Sequence, residues 1–163
     1  MVNLSLLILK AAMIASACLI IGLGSNLIRA RHIPWFYAQA SEITVSGQKI
    51  PFVTTEEAEN LINDPLAVFI DTREEKDYML GHVSGALFLS PEEKENRFPG
   101  IEPLITPNMK LILYCYGPEC DMAEKVSAFL INFGYTNIVI MNEGYAAWEK
   151  KGLATEKSSR SKR

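Results

Sequence analysis

Leu66-Ala-Val-Phe-Ile70, Lys110 to Tyr114 and Asn137 to Met141 are short, almost wholly apolar runs, and they constrain the fold more than anything else in this chain. Each is too short for a buried helix and lacks the alternation of a strand with one wet face. Each therefore reads as a strand covered on both sides. Ile43 to Val45 and Lys49 to Val53 flank a turn at Ser46-Gly47, and Ala86 to Leu89 supplies a further strand. Helical segments alternate with these strands. Thr54 and Glu57 form a capping box for a helix running to Asn63, where Asp64-Pro65 stops it. Short helices are expected from Glu74 to Leu80, from Pro91 to Arg97, and from Tyr145 to Lys151, where Gly152 closes the last. A longer one, Asp121 to Phe133, sets Met122, Val126, Phe129, Leu130 and Phe133 on one face and ends at Gly134. Strand followed by helix, repeated, predicts an α/β domain with a mainly parallel sheet covered on both faces. With 163 residues, 48% of them hydrophobic, the chain can hold one such domain and a small appendage.

The appendage is the apolar run from Leu4 to Ile28, about long enough to cross a hydrocarbon core as a helix, with Lys10 near enough to its start to snorkel. It predicts a single-pass membrane anchor. Arg29, Arg31 and His32 follow it, and Pro34-Trp-Phe-Tyr37 brings aromatics suited to the headgroup layer. The arginines tilt the soluble domain toward the cytoplasm, the exported side being the alternative. The organisation expected is an anchor and juxtamembrane segment over 1–40, a domain over 41–154 and a basic, disordered tail over 155–163. A net charge of -3 gives no electrostatic reason to expect nucleic acid. Three cysteines, one of them inside the apolar run, make no disulfide framework, so the core must hold the fold.

The candidate site is the stretch Leu111-Ile-Leu-Tyr-Cys-Tyr-Gly-Pro-Glu-Cys-Asp. In open parallel sheets ligands bind beyond the C-terminal strand ends, where loops enter helices. Cys115 stands at such an end. The loop Tyr116, Gly117, Pro118, Glu119, Cys120 is short enough for backbone N–H groups to surround the sulfur, and these donors favour a thiolate or an anionic persulfide. A metal at Cys115 and Cys120 is not expected, because neither His32 nor His82 has ligand spacing to the pair. No cofactor is expected.

Four spaced segments then carry a resemblance. Phe69-Ile-Asp-Thr-Arg73, Tyr78-Met-Leu-Gly-His-Val-Ser-Gly-Ala86, the Cys115 loop, and Glu143-Gly-Tyr-Ala-Ala-Trp148 with Gly152-Leu153 resemble the rhodanese-like (sulfurtransferase) domain over about residues 50 to 154. The resemblance implies a five-stranded, mainly parallel sheet flanked by helices. It also implies that Cys115 takes a sulfane sulfur as a persulfide and passes it to an acceptor. Asp71, Arg73, Gly81 and His82 match family positions and read as supporting: a loop-fixing ion pair and a tight turn. Trp148 and Tyr145 read as core aromatics. The chain departs from the family pattern at Cys120, where relatives often have Arg, Thr or Ser, and at Glu119 and Asp121, which oppose an anionic substrate. Related phosphatases and arsenate reductases end a longer loop in Arg. No Arg follows Cys115 before Arg160, which disfavours that chemistry.

Three readings stay open on the sequence. The first is a membrane-anchored sulfurtransferase or sulfur carrier with a sulfane-sulfur donor and a thiol or protein acceptor. The second is a catalytically weak binding module that tethers or regulates a membrane-protein partner. The third is a redox switch formed by Cys115 and Cys120, with Cys120 either resolving a persulfide or merely filling its position.

Overall fold

The computed structural model describes residues 8–16, 18–19 and 41–158. Residues 8–16 (α1) are helical, as are 18–19, and Ile8, Leu9, Met13, Ile14 and Leu19 are exposed. Among the described residues no helix is long and apolar enough to cross a membrane. The remainder of the run read as an anchor, and the segment through residue 40, lie outside the described residues.

In the domain, β1 (Glu42–Val45) and β2 (Gln48–Val53) form a hairpin around Ser46 and Gly47, both at positive φ, the backbone twist a two-residue hairpin turn requires. The next elements are α2 (Thr55–Glu59), β3 (Ala67–Asp71), α3 (Glu75–Leu80), β4 (His82–Val83) and β5 (Leu87–Phe88). They are followed by α4 (Lys94–Ile101), β6 (Lys110–Tyr114), α5 (Met122–Asn132), β7 (Ile138–Met141), α6 (Gly144–Lys150) and β8 (Thr155–Glu156). The capping box at Thr54 and Glu57 forms as expected.

The sheet has six strands in the order β1-β2-β7-β6-β3-β5, not five. The five from β2 to β5 are parallel, and β1 adds antiparallel to the edge because its two-residue turn returns it directly beside β2. Two cores follow from the period-two alternation of the strands. Ile70, Leu111, Leu113, Ile138 and Ile140 pack with Phe98, Ile101, Val126 and Leu130 of α4 and α5. Phe69, Ile112, Tyr114, Val139 and Met141 pack on the other face with Ala58, Tyr145 and Trp148 of α2 and α6.

Two further expectations are corrected. The helix expected to end at Arg97 continues through Pro99 to Ile101, because Phe98 and Ile101 are buried in the core, which outweighs the hydrogen bond that proline cannot donate. Residues 155–156, expected in a disordered tail, form β8 against β4, with His82 opposite Glu156 and Val83 opposite Thr155. Residues 159–163 of that tail lie outside the described residues.

Candidate active site

The register aligns the C-terminal ends of the parallel strands in one row: Val53 beside Met141, Met141 beside Tyr114, Tyr114 beside Asp71 and Asp71 beside Phe88. Cys115 follows Tyr114 at the middle of this row. Its side chain continues the parity of Leu111 and Leu113 and joins their core, leaving it only 3% exposed. Tyr114 faces the other way. Its buried hydroxyl accepts from the Val83 N–H at 3.0 Å, and burial raises its pKa well above the ordinary phenol range.

The loop after Cys115 is fixed from both sides. The Cys115 carbonyl accepts from the Tyr145 N–H at 2.7 Å, and the Tyr116 carbonyl from the Ala146 N–H at 3.4 Å. Cys120 N–H donates to the Gly117 carbonyl at 3.1 Å, closing a turn that returns Cys120 toward Cys115. The two cysteines are joined in a disulfide, with Cα atoms 6.2 Å apart, inside the normal span for such a bond. Tyr116, Gly117, Pro118, Glu119 and Cys120 line an open depression over it. The N–H groups of Tyr116, Gly117 and Glu119 have no hydrogen-bond acceptor among the described residues.

The supporting residues divide. Asp71 and Arg73 lie beside the loop as a buried pair: Arg73 Nε donates to Asp71 Oδ1 at 3.0 Å and a terminal nitrogen donates to Oδ2 at 2.7 Å. The same terminal nitrogen reaches the Gly81 carbonyl at 2.6 Å, and the guanidinium lies 3.9 Å from the Tyr145 ring centroid. Burial opposes the Arg73 charge, but the hydrogen bonds and charge of Asp71 outweigh it and leave its pKa raised. Tyr116 is anchored by its hydroxyl on Asp77. Burial, with that carboxylate second, pushes the phenol up to about 12. His82 is not in the loop's surroundings. It is buried, stacked on Tyr78 at 3.8 Å, with Nδ1 2.8 Å from the Tyr78 carbonyl and Nε2 3.2 Å from Glu156. Asp121 makes no cap bond to its helix and instead pairs with Lys125 at 2.8 Å, while Glu119 is exposed on the rim.

Sequence reasoning left Asp77, Glu143 and Gly144 without a role. Glu143 accepts from Thr55 through its N–H at 2.8 Å and its hydroxyl at 2.5 Å, bonds that hold the carboxyl below its usual pKa and tie α2 to α6. Gly144, at positive φ, lets α6 start against the Tyr116–Gly117 peptide. The motif around Glu143 was visible, but which atoms it touches depends on contacts remote in sequence. No group of metal-ligating side chains occurs among the described residues.

Comparison with known proteins agrees with this geometry. The family model for the rhodanese-like domain matches residues 54–151. The uncharacterized protein YibN of Escherichia coli strain K12 is 30% identical over 106 residues, covering 64% of this chain and 71% of that protein. A tRNA uridine(34) hydroxylase of Hamiltonella defensa is 28% identical over 96 residues, covering 57% of this chain but only 26% of the hydroxylase. The solution structure of the rhodanese-like domain of Alr3790 from Anabaena sp. superposes with a TM-score of 0.55 at 22% identity, covering 69% of this chain and 83% of that one. The matched segment takes in the strand row from Met141 to Phe88, the buried ion pair and the cysteine loop, and it places this chain in the rhodanese-like domain family.

Proposed function

We propose that this domain is a sulfurtransferase or sulfur carrier working through Cys115. The observation that carries the reading is the position of Cys115 at the central strand end, beneath a loop whose free N–H groups can stabilise an anionic sulfur. In the first half-reaction the Cys115 thiolate attacks the sulfane sulfur of a donor, and the donor's remainder leaves with the electron pair. In the second, an acceptor thiolate attacks that outer sulfur and Cys115 leaves as thiolate. Asp71, Arg73 and Tyr145 hold the loop rather than the sulfur. Incubating the reduced chain with a sulfane donor should add one sulfur to the Cys115 peptide, and Cys115→Ser should abolish the gain. An unmodified Cys115 would favour the tethering module instead.

The proposal includes a membrane tether through the run Leu4–Ile28, supported by its length and by the exposed apolar residues of α1. The arginines that follow favour a cytoplasmic domain. Protease added to sealed spheroplasts should then leave the domain intact, and digestion there would place it on the exported side. The acceptor is taken to be a thiol or a protein, since a net charge of -3 gives no electrostatic reason to expect a nucleic acid.

The disulfide supports a second reading, a thiol switch. A switch without sulfur transfer would lose two hydrogens from the Cys115 and Cys120 peptides, and its Cys120→Ser variant would gain no sulfur on Cys115.

A further inference from the structure

We infer that Cys120 resolves the Cys115 persulfide, and that its sulfur is the point at which a dithiol reductant reopens the site. This deepens the sulfur-transfer reading and rests on it. The structure holds the two sulfurs in a bond across the loop, with the Gly117–Cys120 turn bringing the second cysteine back over the first. They are unequally placed. Cys115 is buried in the sheet core, whereas Cys120 is half-buried and lines the open depression with Tyr116, Gly117, Pro118 and Glu119.

The chemistry balances in two steps. In the first, the Cys120 thiolate attacks Sγ of Cys115 in the persulfide. The bond between that Sγ and the sulfane sulfur breaks, and hydrosulfide leaves with the electron pair. The two cysteines are oxidised to the disulfide, and the sulfane sulfur is reduced to sulfide. In the second, an external dithiol attacks the sulfur of the more exposed cysteine, Sγ of Cys120, and Cys115 departs as a thiolate among the free loop N–H groups. The dithiol's second thiol then displaces Cys120, leaving the dithiol oxidised and both cysteines reduced. The same loop can therefore pass sulfur to a thiol acceptor or, when none is present, release it as sulfide at the expense of a dithiol.

The test uses the full chain carrying Cys18→Ser, so that the third thiol takes no part. The reduced protein is loaded with cysteine persulfide and freed of small thiols, and released sulfide and protein-bound persulfide are followed. Release of sulfide together with appearance of the disulfide is expected, and Cys120→Ser should retain the Cys115 persulfide and release sulfide at least about tenfold more slowly. Cys120→Ala gives the same readout if the serine variant folds poorly. Equal persulfide decay with and without Cys120 would overturn this inference alone. Absence of any persulfide on Cys115 in either protein would overturn the sulfur-transfer reading and this inference with it. For the second step, the oxidised chain is treated with glutathione while iodoacetamide traps the freed thiolate. Cleavage after Glu119 separates the two cysteines, and glutathione should be found on the Cys120 fragment. Glutathione mainly on the Cys115 fragment would overturn the assigned point of attack.

Discussion

Gly144 and Gly117 meet backbone to backbone. A β-carbon on Gly144 would lie 2.5 Å from the Gly117 nitrogen and 2.6 Å from the Tyr116 carbonyl oxygen, and Gly144 also sits at φ +67. Neither obstacle is a flexible side chain that could move aside. Gly144→Ala should therefore strain its own backbone and push the loop off α6, costing about 1–3 kcal/mol of stability. Because Tyr145 N–H holds the Cys115 carbonyl, sulfur loading should slow by more than the lost stability explains. Urea denaturation and loading rates at a temperature where both proteins are folded check this, and a wild-type loading rate would show that the loop does not depend on the contact.

Asp71 and Arg73 form the buried support beneath the loop, with side chains 0% and 5% exposed. Removing one partner leaves the other charge desolvated, so Asp71→Leu should cost about 3–5 kcal/mol. Asp71→Leu combined with Arg73→Met should be less harmful, since no orphan charge remains, although the bond to the Gly81 carbonyl is lost in both. Denaturation of the single and double variants measures the difference. A double variant no more stable than the single would mean that Arg73 serves chiefly through Gly81 and Tyr145.

What the sequence made legible was local. The unbroken apolar runs identified β3, β6 and β7 because a strand buried on both faces needs no partner to be recognised, and β6 runs from Lys110 to Tyr114 as expected. Cys115 at the strand end followed from the same pattern, and the spaced motifs supplied its family. The illegible parts are contacts between distant segments. Glu156 reads as tail until it is placed against His82, and Gly144 reads only as part of a motif until Gly117 lies on it. Asp121 does stand at the start of its helix as expected, but that its carboxylate pairs with Lys125 rather than capping the helix is not legible locally. The helix expected to end at Arg97 continues to Ile101, and only the burial of Phe98 and Ile101 shows why. Periodicity reports which face is apolar and not which residue lies opposite.

Glu156 makes the attachment of β8 sensitive to acid. It accepts from the Gly85 N–H at 2.9 Å and lies 3.2 Å from His82 Nε2, and these contacts, with the Gly85 bond foremost, lower its pKa. A carboxyl depressed in the folded state stabilises fully above its ordinary unfolded pKa, and that contribution is lost as pH falls through the lower folded value. Hydrogen exchange at the Gly85 amide should therefore accelerate, relative to its intrinsic rate, once the pH drops below the usual glutamate range. Glu156→Gln should show weak protection at neutral pH and little of this pH dependence. Protection unchanged by acid in the wild type would mean that the strand pairing alone holds β8.

Glu119 should govern the choice of donor at the proposed sulfur site. It is exposed on the rim of the depression over the disulfide, in a loop with no basic side chain, and the neighbouring Asp121 is already matched by Lys125. An incoming dianion such as thiosulfate must approach this uncompensated carboxylate. A like charge within roughly 5 Å costs on the order of 1 kcal/mol at intermediate dielectric, or several-fold in binding. Thiosulfate should therefore be a poor donor beside a persulfide of lower charge. Glu119→Lys should raise the second-order rate of Cys115 loading by thiosulfate roughly five- to thirtyfold, because it removes a repulsion and adds an attraction. The gain should shrink with added salt, since the charge is at the surface. Loading by an alkyl persulfide, with less negative charge than thiosulfate, should change much less. Stopped-flow loading of the reduced chain with both donors, across ionic strength, separates the effects, and an equal gain for both donors would mean that the substitution acts by reshaping the loop rather than through charge.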